Sequence, residues 1–106
     1  MKVLVTILTL FVSNIVFGQV KVVCFNADWN SANSVEWFNK LDAKKEIMDI
    51  GVGDCQDKYN IAIVPTIVVF DDGEEVKRFQ ADLSFKMAAT KNEVQDYIDE
   101  LLMSKF

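Results

Sequence analysis

The chain has 106 residues, 51% hydrophobic and 25% charged, the balance of one folded domain with a real core and no room for a second. Its net charge of −5 provides no basic stripe to neutralise phosphates, which argues against nucleic acid as a partner. It has no histidine, so the commonest general base and the commonest metal ligand are missing; neither a hydrolase triad, a metal site nor a cofactor is expected.

Met1 to Gly18 has two readings. A lysine followed by an uncharged apolar run that ends in Val16-Phe17-Gly18 has the length and flanks of a secretory signal peptide. Lys2, Thr6, Thr9 and Ser13, however, draw a polar stripe at helical spacing, which suits an N-terminal strand and helix of the fold itself. Residues 19–106 are the domain in either case. Membrane contact is expected only through Met1 to Gly18. The protein is secreted or periplasmic if that segment is removed, and cytoplasmic if it is kept.

Val20 to Phe25 is near-continuously apolar, the pattern of a strand covered on both faces. It stops at Asn26-Ala27-Asp28-Trp29-Asn30-Ser31-Ala32-Asn33, small polar residues that open onto a helical pattern. Ser31 to about Glu46 reads as that helix, with Ser31 or Ser34 as N-cap, Val35, Phe38 and Leu41 inward, and Trp37 as a lid over its edge. Ile47 to Gly51 reads as a short strand, Gly51-Val52-Gly53 as a turn, and Asp54 as the cap of a short helix over Cys55 to Tyr59. Two cysteines, Cys24 and Cys55, are too few for a disulfide framework and read as free thiols, Cys24 as a small core residue.

Ile61-Ala62-Ile63-Val64-Pro65-Thr66-Ile67-Val68-Val69-Phe70 places the only proline at the opening of a buried strand, a position that tolerates it. Asp71-Asp72-Gly73-Glu74 joins this strand to Val76 to Gln80 as a β-hairpin. Asp82 to Ala89 is a connection carrying Leu83, Phe85 and Met87. Thr90-Lys91-Asn92-Glu93 is a capping box, and the helix it starts places Val94, Tyr97, Ile98, Leu101 and Leu102 inward.

A strand ending in Ala27-Asp28-Trp29, a helix, then Lys58-Tyr59-Asn60-Ile61 and Val64-Pro65-Thr66 before a strand and an Asp-Gly turn resembles the thioredoxin family over roughly Val20 to Leu102. The resemblance implies an α/β thioredoxin-like fold: a central mixed sheet of four to five strands, helices on both faces, Val20 to Phe25 inside the sheet, and a cis Val64-Pro65 bond beside Trp29. Thioredoxins carry Trp-Cys-x-x-Cys at the turn, where this chain has Asn30-Ser31-Ala32-Asn33. An amide supplies no thiolate, so no catalytic residue is assigned; Asn30 and Asn33 occupy the family's redox positions. Cys24 stands where the family keeps a buried acid. Ala81 replaces a glycine beside the family's peptide groove.

The resemblance therefore implies a redox-inactive module that binds a protein or an extended peptide through Trp29, Val64, Pro65, Thr66 and Ala81. The alternative is a thiol-disulfide oxidoreductase whose parent sequence carries cysteines at 30 and 33. A third reading is a structural subunit that uses its N-terminal segment and the Phe85/Met87 connection as contacts.

Overall fold

Alternation along the apolar strands decides the architecture. In the computed structural model, which describes residues 19–105, β1 (Val20–Asn26) is flanked by β2 (Lys44–Asp49) and β3 (Thr66–Asp71), and β4 (Glu74–Gln80) pairs outside β3. Both readings of Met1 to Gly18 lie outside the described residues. β1 runs parallel to β2 and antiparallel to β3, and β3 antiparallel to β4: a mixed sheet with β1 inside, as expected. Asp72 and Gly73, both at positive φ, make the tight β3–β4 turn, the conformation for which Asp-Gly is suited.

Successive strand residues point to opposite faces, and each face has its own cover. Val20, Val22 and Cys24 of β1 join Ile67 and Val69 of β3 against Phe38, Leu41, and Val94 and Ile98 of the last helix, α2 (Lys91–Met103). Val23, Phe25 and Val68 face the other way, onto Cys55 of the one-turn helix α1 (Cys55–Lys58), Ile61 and Val64. α2 begins where the capping box placed it, the Thr90 hydroxyl accepting the Glu93 N–H at 3.2 Å. Its inward stripe is narrower than expected, since Leu102 lies exposed. Among the described residues, no helix is long and apolar enough to cross a membrane.

The long helix over Ser31 to Glu46 does not form. Two 3₁₀ helices, Asp28–Asn33 and Glu36–Lys40, replace it, separated by extended backbone at Ser34 and Val35. Neither serine is an N-cap; the first 3₁₀ helix starts after Ala27 without a side-chain cap, and Ser34 closes it. The reason is local competition. Asn, Asp and Ser side chains offer the backbone alternatives to helical bonds: the Ser34 hydroxyl donates to the Ser31 carbonyl at 2.6 Å, and the Asn33 amide donates to the Asn30 side chain at 2.9 Å. Lys44 to Glu46, assigned to the helix end, instead open β2 three residues before Ile47, and Ile47 is exposed. Trp37 packs partly buried against the α2-side core. Asp54 precedes α1 without donating or accepting a side-chain cap bond, and Tyr59 is the C-cap rather than part of the helix.

The two thiols sit in cores on opposite faces of the sheet and are free. Burial pushes the Cys24 thiol from 9.0 up to about 12. A thiol whose pKa is higher in the folded chain than in the unfolded one favours folding fully below pH 9; the advantage is lost as pH rises from 9 towards 12, because the unfolded chain alone releases the proton. Urea denaturation across that window is expected to show the native chain losing stability faster than Cys24→Ala, by at most about 1.4 kcal/mol per pH unit.

Candidate functional site

The site is built where β1 ends and β3 begins. Antiparallel pairing sets Phe25 opposite Thr66, so the chain leaving β1 through Asn26 and Ala27 passes beside the turn that enters β3 through Val64 and Pro65. The Val64–Pro65 peptide bond is cis. The Thr66 hydroxyl donates to the Ile63 carbonyl at 2.6 Å, and the Ala81 N–H donates to the Pro65 carbonyl at 3.0 Å, which fastens the end of β4 to the same turn.

Asn30 is the centre of this arrangement. It is 5% exposed, and among the described residues only Thr66 joins it as a buried polar residue. Its carboxamide reaches three other chain segments and, within its own 3₁₀ helix, Asn33. The side-chain nitrogen donates to Asn26 Oδ1 at 3.1 Å, to the Phe85 carbonyl at 3.1 Å, and at the limit of hydrogen bonding to the Val64 carbonyl at 3.5 Å. Its oxygen accepts from Asn33 Nδ2 at 2.9 Å, and Asn26 Nδ2 donates to the Asn30 backbone carbonyl at 3.4 Å. A buried amide requires this satisfaction, since one without partners carries its whole desolvation cost.

Trp29, the preceding residue, is 68% exposed, and its indole packs in an edge-to-face arrangement with the Phe85 ring at a centroid distance of 5.3 Å and 87°. Trp29, Ile50, Ile63, Val64 and Phe85 border a cavity of about 70 Å³. Trp29, Asn30, Asn33, Val64, Pro65, Thr66 and Ala81 are thus brought to one place, while Cys24 lies beneath it in the α2-side core.

Neither a protein-family model nor a curated protein sequence matches this chain. Solved structures do. Thioredoxin from Fasciola hepatica is 27% identical, with 82% of this chain and 85% of that one aligned at a TM-score of 0.57. Oxidised thioredoxin from Plasmodium falciparum is 19% identical over 88% and 90% of the two chains, TM-score 0.58, and a mutant thioredoxin from Halobacterium salinarum is 22% identical over 77% and 74%, TM-score 0.58. The fold is thioredoxin-like.

In the thioredoxin-like frame, the two described cysteines are off the redox positions 30 and 33. Besides Cys24, the Cys55 thiol is raised above 9.0, first by burial and then by the Asp54 and Asp49 carboxylates, with Lys58 opposing. Both are poor thiolates at neutral pH. What the site presents instead is amide hydrogen bonding, an exposed indole and a shallow apolar wall.

Two residues of the site escaped the sequence reading. Asn26 is the last residue of β1, and a polar residue ending the apolar run Val22 to Phe25 is the signal that it has a partner. Phe85, considered only as an outward contact, turns back onto Trp29 and Asn30. Met87, paired with it in that reading, packs against the α2-side core. Removing the Asn30 amide leaves the Phe85 carbonyl, Asn26 Oδ1 and Asn33 Nδ2 without their common partner; Asn30→Ala is therefore expected to cost about 1–3 kcal/mol in chemical denaturation, against a near-neutral result for exposed Ser31→Ala.

Proposed function

We propose that this chain is a redox-inactive thioredoxin-like module that binds a protein or an extended peptide at Trp29 and the Val64-Pro65-Thr66 turn, with Asn30, Asn33 and Ala81 framing the contact. The observation that supports this reading is the state of Asn30. A position that serves disulfide exchange has to present a thiolate at the surface, where the leaving sulfur can be approached; here that position holds a buried amide bonded to Asn26, Asn33 and Phe85. The indole of Trp29 is the group open to a partner, whereas Val64, Pro65 and Thr66 are buried, so an extended segment that adds to the backbone there by main-chain hydrogen bonds has first to move what covers it.

The test is disulfide reduction measured on insulin with dithiothreitol as electron donor. The chain as it stands is expected to give no turnover above the dithiothreitol background, and the double substitution Asn30→Cys, Asn33→Cys to give measurable turnover below that of an ordinary thioredoxin, since Cys24 leaves the site without a buried acid. Turnover by the unsubstituted chain that disappears on Cys55→Ser would refute the reading and make the protein an oxidoreductase with a displaced thiol.

A further inference from the structure

The segment between β4 and α2 does more than connect them. Ala81 and Met87 form an isolated antiparallel bridge, the Asp82 N–H donates to the Lys86 carbonyl at 2.9 Å, and the Phe85 N–H donates to the Asp82 carbonyl at 3.0 Å, so the loop closes on itself at its base. The Asp82 carboxylate accepts from the Ser84 amide and hydroxyl and from the Lys86 amide, bonds that hold its pKa below the usual value, those from Ser84 most of all. The tip is open to solvent, with Leu83 93% exposed. Of the tip residues, only Phe85, still 40% exposed, turns back towards the site. It adopts φ +63°, a conformation unfavourable for a bulky side chain, and in it delivers its carbonyl to Asn30 Nδ2 and its ring to Trp29.

An incoming extended peptide at this site would use the same groups: an amide donor for one of its carbonyls, an indole edge for an aromatic side chain, and the wall beside Val64. Residue 85 has taken all three. The cavity bordered by Trp29, Val64 and Phe85 is what remains of the groove with this residue in place. The tip is held to the body through Phe85, by its carbonyl on Asn30 and its ring on Trp29, while Leu83, Ser84 and Lys86 are exposed, so its release is a local opening that gives up those two contacts and leaves the sheet intact.

We propose that residues 82–87 are a strap that occupies the groove beside Pro65 intramolecularly, Phe85 standing where a partner's aromatic residue stands in the complex, so that an extended peptide carrying an aromatic side chain binds by displacing it. This rests on the binding reading above and assigns its regulation and its ligand chemistry. A tethered occupant competes at an effective concentration on the order of millimolar, so the strap suppresses weak binding and lets only a better-matched segment in.

The probe is an acetylated, amidated peptide that copies residues 83–87, Leu-Ser-Phe-Lys-Met, titrated into isotope-labelled protein while the Trp29 indole N–H and the Asn30 carboxamide are followed by NMR. A chain with residues 83–86 replaced by Gly-Gly is expected to show saturable shifts at both groups near millimolar peptide, and the intact chain to bind about twofold more weakly, the factor produced by a tethered competitor whose effective concentration matches its dissociation constant. Phe85→Gly, which keeps the loop length and suits the positive φ, carries the same comparison if the shortened chain does not fold, with an intermediate gain. Equal binding by strapped and unstrapped chains overturns the strap and leaves the binding reading standing; no shifts in any chain overturn both.

Discussion

A buried primary amide has two N–H groups and an oxygen to satisfy, and in this protein the way Asn30 satisfies them decides the shape of the site. Its carboxamide accepts from Asn33 within its own 3₁₀ helix and joins that helix to the end of β1 through Asn26, to the turn before β3 through Val64 and to the 82–87 loop through Phe85. A smaller side chain would leave these polar groups facing one another across a void. A charged one would be desolvated at a cost its amide and carbonyl neighbours could not offset. The amide is the side chain that can donate through its two N–H groups to Asn26 and Phe85 and accept from one nitrogen in the same small space, and the chain around it is arranged accordingly.

That arrangement needs the sheet beneath it. The pairing of Phe25 with Thr66 puts the exit of β1 beside the entry of β3, and the apolar alternation of both strands anchors them from two sides, Val22 and Val69 towards α2 and Phe25 and Val68 towards α1. The long apolar runs leave neither strand free to slip, because a shift of one residue would exchange the two faces. Rigid strand ends then hold polar loop residues in fixed relation, a division of labour between scaffold and loops common to many binding sites.

The sheet was legible in the sequence because its signals are strong and local: apolar runs at β1 and β3, the Asp72-Gly73 turn, the Thr90 capping box. The segment after Trp29 misled, since the spacing of Val35, Phe38 and Leu41 fits a helix while Asn30, Ser31, Asn33 and Ser34 carry bonds that divide it, and periodicity records only the first of these. The positions of Trp29, Asn30, Val64 and Pro65 could be named from their resemblance to thioredoxins. What Asn30 touches could not, because its partner Phe85 is 55 residues away and belongs to a loop without periodicity. With Leu83, Phe85 and Met87 all in that connection, its sequence does not distinguish the residue that turns back onto the site.

The central claim is that the Asn30 carboxamide is a buried, fully engaged clasp rather than a surface side chain. Side-chain amide hydrogen exchange measured by NMR at neutral pH tests it directly. The account predicts that the two Asn30 Nδ2 protons exchange far more slowly than those of the exposed Asn39 and Asn60, with nuclear Overhauser contacts to the Phe85 backbone. Exchange of Asn30 at the rate of those exposed amides, with no contact to residue 85, would contradict it.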